Sequence, residues 1–141
     1  MQNTLIASFG KEGISLYQHL TDLGHRVQVL DCFDDYHRRL TRWYKKDTLL
    51  PIEGHRTNVT QEVSKHHYDL AIVIAMQDFV RTALITQSLR EAGVSNVVVV
   101  TKDSTNRSVF RRLGAHKVVV AEDEEQLWIQ LDRALVEYMP A

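Results

Sequence analysis

Residues 69–76 (DLAIVIAM) form an apolar run with almost no polar interruption. A strand needs such a run only when both faces of its sheet are covered, so this segment predicts a central strand of a layered structure. It does not stand alone. Residues 4–8 read as a short buried strand, 27–30 as a second that ends in Asp31, 48–53 as a weak third, 96–100 as a fifth and 117–120 as a sixth. Pro51 places the third strand at an edge or an irregular position. Segments of helical period lie between them. These are 11–23 (Ile14, Leu16, Tyr17, Leu20 and Leu23 as the apolar set), 33–44, 57–65, 78–92 (Val80, Ala83, Leu84 and Leu89), 104–113 and 124–138. Gly24, Gly93 and Gly114 each follow a helical segment, where a glycine commonly ends a helix.

Strands that alternate with helices run parallel and are joined by right-handed crossovers. The expected fold is α/β: a Rossmann-like, doubly wound parallel sheet of six strands in three α/β/α layers. Its ligand crevice is expected at the carboxyl ends of the first and fourth strands. The six units use nearly all of the 141 residues, so one domain over 1–141 is expected, with no second domain to hold a substrate.

Seventeen Lys and Arg against eighteen Asp and Glu leave a net charge of −1, which argues against nucleic acid as a partner. The longest apolar runs, 70–76 and 97–100, fall far short of the ~20 residues of a spanning helix. The N-terminus lacks the layout of a signal peptide. Direct membrane insertion is therefore not expected, and a cytoplasmic, reducing location fits a chain whose single cysteine, Cys32, has no partner to bridge.

The stretch Ser8-Phe9-Gly10-Lys11-Glu12-Gly13 follows the first strand and opens the first helix. It is a dinucleotide-binding turn with its first glycine replaced, S-x-G-x-x-G for G-x-G-x-x-G. Gly10 would let the backbone approach a pyrophosphate, and Gly13 would let helix and strand pack closely. Free N–H groups at the helix start would hold the anion, and Ser8 is small enough to cap. Asp31 closes the second strand, where a carboxylate accepts hydrogen bonds from an adenosine ribose and disfavours a 2′-phosphate. NAD(H), AMP, ADP or ATP are better candidates than NADP(H). The same glycines would also serve a domain that packs this way with a degenerate, empty site.

The segment 68–75, then Asp78, then 83–93 (ALITQSLREAG), and later 108–120 (SVFRRLGAHKVVV) with Glu122-Asp123, resemble the nucleotide-binding RCK (KTN, TrkA-N) domain. Members of that family regulate potassium channels, Trk and Ktr uptake systems and Kef-type efflux systems. The resemblance implies a non-enzymatic regulatory domain that binds NAD(H) or an adenine nucleotide. Gly10 to Gly13 would lie on the phosphates, Asp31 and the adjoining Cys32 at the ribose, and His55, Arg56, Ala75 and Met76 beside the nucleotide. It also implies a homo-oligomer, dimer or higher, and a membrane cation-transporter subunit as partner, with the domain peripheral to the inner membrane through it. This sequence departs from the family pattern at three places. Gly54-His55-Arg56-Thr57 stands for G-D-A-T, Arg81 for a frequent Asn, and Val100 for an Arg at the end of the fifth strand. Arg56 and Arg81 would suit a phosphate-rich ligand or act as surface charges.

Other residues read more plainly. His66 and His67 are adjacent and have no ligand-spaced partner, so no metal site is expected. Cys32 reads as a packed thiol before a redox sensor. The basic, aromatic stretch 37–46 reads as a solvated helix with Trp43 or Tyr44 on the sheet, and Leu127, Leu131 and Leu135 as core. No catalytic constellation is present, so catalytic residues are not expected. The alternative to a sensor is an interaction module on the same fold.

Overall fold

The computed structural model describes residues 2–52 and 56–136, with the backbone alone at Arg56 and Thr57. Each apolar run becomes a strand: β1 (Asn3–Ala7), β2 (Arg26–Asp31), β3 (Leu49–Pro51), β4 (Leu70–Ile74), β5 (Asn96–Thr101) and β6 (Lys117–Val120). The helices are α1 (Glu12–Asp22), α2 (Asp34–Trp43), α3 (Arg56–Ser64), α4 (Phe79–Glu91), α5 (Arg107–Arg112) and α6 (Glu124–Leu135). All strands pair in parallel in the order β3-β2-β1-β4-β5-β6. The chain therefore winds outward twice from the centre. The expected Rossmann-like sheet is present, and Pro51 does lie on an edge strand, where its missing N–H costs no ladder bond.

The central strands carry the core. Leu5 to Ala7 of β1 and Leu70 to Val73 of β4 have no solvent exposure, and β1 and β4 pair with Ile6 opposite Ile72. On one face α1 touches α2 through Tyr17 and Tyr44, and α6 through His19 with Trp128 and Asp132. On the other, α3 packs beside α4, and α4 meets α5 through Phe79 and Phe110. Leu127, Leu131 and Leu135 are buried, as their spacing predicts, and Tyr44 is buried with Trp43 packed on the core.

Two helices differ from their expected faces. On α1, Ile14 and Leu23 are exposed. On α4 the difference is larger: Val80 is 62% exposed and Leu84 41%, whereas Thr82, Thr86 and Ser88 are buried. The hydroxyls can be buried because the backbone satisfies them. Thr82 Oγ1 accepts the Met76 N–H at 2.9 Å and donates to the Asp78 carbonyl, and Thr86 Oγ1 donates to the Thr82 carbonyl at 2.8 Å. Of the expected apolar set Leu89 is fully buried, but hydropathy misplaces Val80 and Leu84, whose place toward the core Thr82 and Thr86 take. The segment 104–113, expected as one helix, begins with a 3-10 turn (Ser104–Asn106) before α5. The expected ends of the third strand at Glu53 and of the last helix at 137–138 lie outside the described residues.

Candidate nucleotide site

β1 and β4 lie side by side, and their connections leave toward opposite faces, which opens the crevice at their carboxyl ends. From β1 the chain turns through Ser8 to Lys11 into α1. Neither Gly10 nor Gly13 has a positive φ, so each contributes only its missing Cβ. At Gly13 a Cβ would stand 2.8 Å from the Tyr44 hydroxyl and 2.9 Å from Ser8 Oγ. Glycine is thus what allows α1 to settle between β1 and the end of α2. At Gly10 a Cβ would meet only the carboxylate end of Glu12, an exposed and movable side chain. The N–H groups of Lys11 and Glu12 have no hydrogen-bond partner among the described residues, as expected at a helix start. An anion there would find free donors and the positive end of the α1 dipole.

Ser8 does not cap this helix. Its Oγ is buried with no hydrogen-bond partner among the described residues, as is the Tyr44 hydroxyl, and Lys11 holds the cap position without a side-chain bond. The Ser8 side chain lies against Gly13 in the first turn of α1 without accepting a bond from its N–H groups.

Asp31 ends β2, as the spacing predicts, but its carboxylate is only 3% exposed. The ring N–H of His37, one turn into α2, donates to Asp31 Oδ2 at 2.6 Å. Cys32 is buried beside it, and burial, reinforced by the Asp31 charge, pushes its thiol up to about 12. Such a thiol stays protonated and behaves as a packed group.

The loop after β1 meets the first turn of α2, which the first turn of α4 reaches in turn through Arg81. Phe9 is buried, stacked on Tyr36 at 5.2 Å and edge-on to Phe33 at 5.2 Å. The Arg81 guanidinium lies 4.6 Å over the Phe33 ring and pairs with Asp35 at 2.8 Å. That hydrogen bond holds the Asp35 carboxyl below its usual range. Arg39 spans Tyr36 and Trp43 and donates to the Phe9 carbonyl at 3.3 Å. Ala75 and Met76, half-buried after β4, lie on the same side of the sheet ends, with the Met76 N–H held by Thr82. His55 lies outside the described residues and Arg56 begins α3, its side chain undescribed.

With this geometry in place, the TrkA-N domain model matches residues 4–121 of the chain. The chain belongs to the TrkA-N domain family. Its TrkA-N sequence is 22% identical over 138 residues to the Ktr system potassium uptake protein A of Vibrio alginolyticus. The match takes in 96% of this chain but 62% of that protein, so the chain spans less than two thirds of the relative's length. Among solved structures, the TrkA-N domain of the inner membrane protein ybaL from Escherichia coli superposes with a TM-score of 0.62 at 12% identity. That match covers 99% of this chain and 97% of the other. The GsuK RCK domain superposes with a TM-score of 0.61 at 16% identity, over 97% of this chain and 28% of that one. Among the described residues no helix is long and apolar enough to cross a membrane.

Several residues that shape this TrkA-N crevice were not anticipated as site residues: Phe33, Asp35, Tyr36, His37 and Arg39. The spacing of Phe33 and His37 on one face of α2 was a usable signal, since i and i+4 share a face. The meeting of Arg81 with Asp35 was not, because it joins two helices far apart in the chain.

Proposed function

We propose that this TrkA-N domain is a regulatory adenine-nucleotide sensor, taking NAD(H), AMP, ADP or ATP, that controls a potassium or other cation transporter. The observation that carries this reading is the pairing of an approachable Gly10 backbone at the α1 start with Asp31 at the end of the neighbouring strand β2, both at the carboxyl ends of the strands. Free N–H donors and a missing Cβ fit a pyrophosphate. Glu12 must swing away from Gly10 to admit it, and its exposure allows that. The adenosine end fits once its own side chains move. The domain acts by binding: a ligand that prefers one arrangement of a domain assembly shifts the population toward it. A cytoplasmic homo-oligomer contacting a membrane subunit follows from this reading. The exposed Phe79, Val80 and Leu84 on α4 offer an apolar surface for such contact.

Calorimetric titration of NAD+, NADH, AMP, ADP and ATP tests it. Saturable binding of at least one is expected, and silence from all at millimolar concentration refutes the sensor.

The second reading, an interaction module with a degenerate site, is favoured by the aromatic and arginine side chains that fill the adenosine end. Gly10→Asp separates the two, since the nearest neighbours of its Cβ belong to the exposed Glu12 side chain and its charge opposes an anion. The sensor then loses its ligand response with its fold intact, and the module keeps its partner.

A further inference from the structure

On the proposed reading, three points fix the crevice. The phosphate end is the α1 start at Gly10 to Gly13, the ribose end is Asp31, and the outer wall is the loop after β4 with the first turn of α4. A base carried by a ribose on Asp31 projects between the β2–α2 loop and the β4–α4 loop. That space already holds a planar group. The Arg81 guanidinium lies over the Phe33 ring at 4.6 Å, a stacking distance, with Tyr36 at 5.7 Å.

Arg81 is held there from two helices. Asp35 of α2 pairs with Nη1 at 2.8 Å, and Asp78, which caps α4 by accepting the Arg81 backbone N–H, lies 3.6 Å from Nε. The side chain is nevertheless one third exposed, and its partners Asp35 and Asp78 are half exposed. Exposed pairs of this kind are weak and solvent can replace them. Arg81 is therefore well placed but poorly anchored, which is what a displaceable occupant requires.

We propose that Arg81 is a specificity-determining placeholder, which occupies the base position on Phe33 until a nucleobase displaces it. This deepens the sensor reading and rests on it. The ligand must supply a flat aromatic surface to take over Phe33, so a phosphate-only ligand leaves Arg81 in place. The displaced guanidinium swings outward from the crevice while α2 and α4 lose the Asp35 link between their first turns. The base position is thus coupled to the spacing of two helices on opposite faces of the sheet.

The test is calorimetric titration of ADP and of inorganic pyrophosphate into the wild-type chain, Arg81→Gln and Asp35→Asn, with thermal unfolding to verify each fold. Loss of one exposed cation–π contact and one exposed ion pair corresponds to an ADP affinity raised about tenfold in Arg81→Gln. Asp35→Asn, which loosens the same side chain without removing it, should raise it by a smaller factor, about threefold. Pyrophosphate affinity should stay level in both. Unchanged or weaker ADP binding in a folded Arg81→Gln overturns the placeholder and leaves the nucleotide reading standing. ADP binding by Arg81→Gln alone supports the placeholder. Silence from all three proteins toward ADP overturns the placeholder together with ADP as the ligand. A parallel rise for pyrophosphate overturns the base-specific role.

Discussion

The two ends of the crevice are built by different means. At the end proposed for the phosphates the backbone dominates: Gly10 and Gly13 lack side chains, and the N–H groups at the start of α1 have no partner among the described residues. At the end proposed for the adenosine the side chains decide. Asp31 is engaged by His37, and Phe33, Tyr36, Phe9 and Arg81 fill the space beyond it. A backbone-built subsite stands ready whether or not a ligand is near. A side-chain-built subsite can be covered by the protein itself, so affinity becomes a competition between ligand and chain. The comparison also explains why one fold can hold a sensor or an empty module with the same turn.

The largest effect expected from breaking this contrast lies at the phosphate end. Gly13→Val would drive a branched side chain into the Tyr44 hydroxyl and Ser8, both buried, and cost about 3 kcal/mol as an overpacked site does. Chemical denaturation measures it, and unchanged stability would show that α1 and β1 have room to spare. At the adenosine end, His37→Ala leaves the Asp31 carboxylate buried without its ring donor. A loss of about 2 kcal/mol is expected for a hydrogen bond to a charged group. A variant as stable as the wild type would mean that Asp31 is already free for a ribose.

Tyr44→Phe removes a buried hydroxyl that has no partner among the described residues and should raise stability by about 1 kcal/mol, the relief of an unmet desolvation cost. A decrease would reveal a partner for that hydroxyl. The smallest effect concerns pH and lies away from the crevice. His25 is buried at the amino edge of the sheet, its Nδ1 2.9 Å from Thr4 Oγ1 and its Nε2 without a partner among the described residues. Burial, reinforced by the nearby His19, lowers its pKa below 6.5. The unfolded chain then binds the proton more readily, so stability is fully present above 6.5 and declines as pH falls toward the folded value. Burial beside Arg90 lowers His116 in the same direction. Melting curves from pH 8 to about 5 should show the decline, and His25→Asn should flatten it. An unchanged slope would take the decline away from His25 and leave it to His116.

Much of the fold was legible because strand and helix have different periods. Continuous apolar runs mark strands covered on both faces, and Gly24, Gly93 and Gly114 do take the positive φ that ends a helix. The inward face of α4 was only partly legible, because Thr82 and Thr86 satisfy their hydroxyls on their own helix and so can be buried where hydropathy points outward. In the site, Asp31 and the glycine turn followed from spacing alone. The role of Ser8 did not, since its side chain is set by contact with Gly13 and α2.

The sequence by itself determined the order of strands and helices and the positions of the turn and of Asp31. These depend on local period and on distances along the chain. Only the tertiary structure decided what occupies the crevice. Arg81 meets Asp35 and Phe33 because the topology brings the first turns of α2 and α4 together, and no local pattern encodes a contact between segments 46 residues apart.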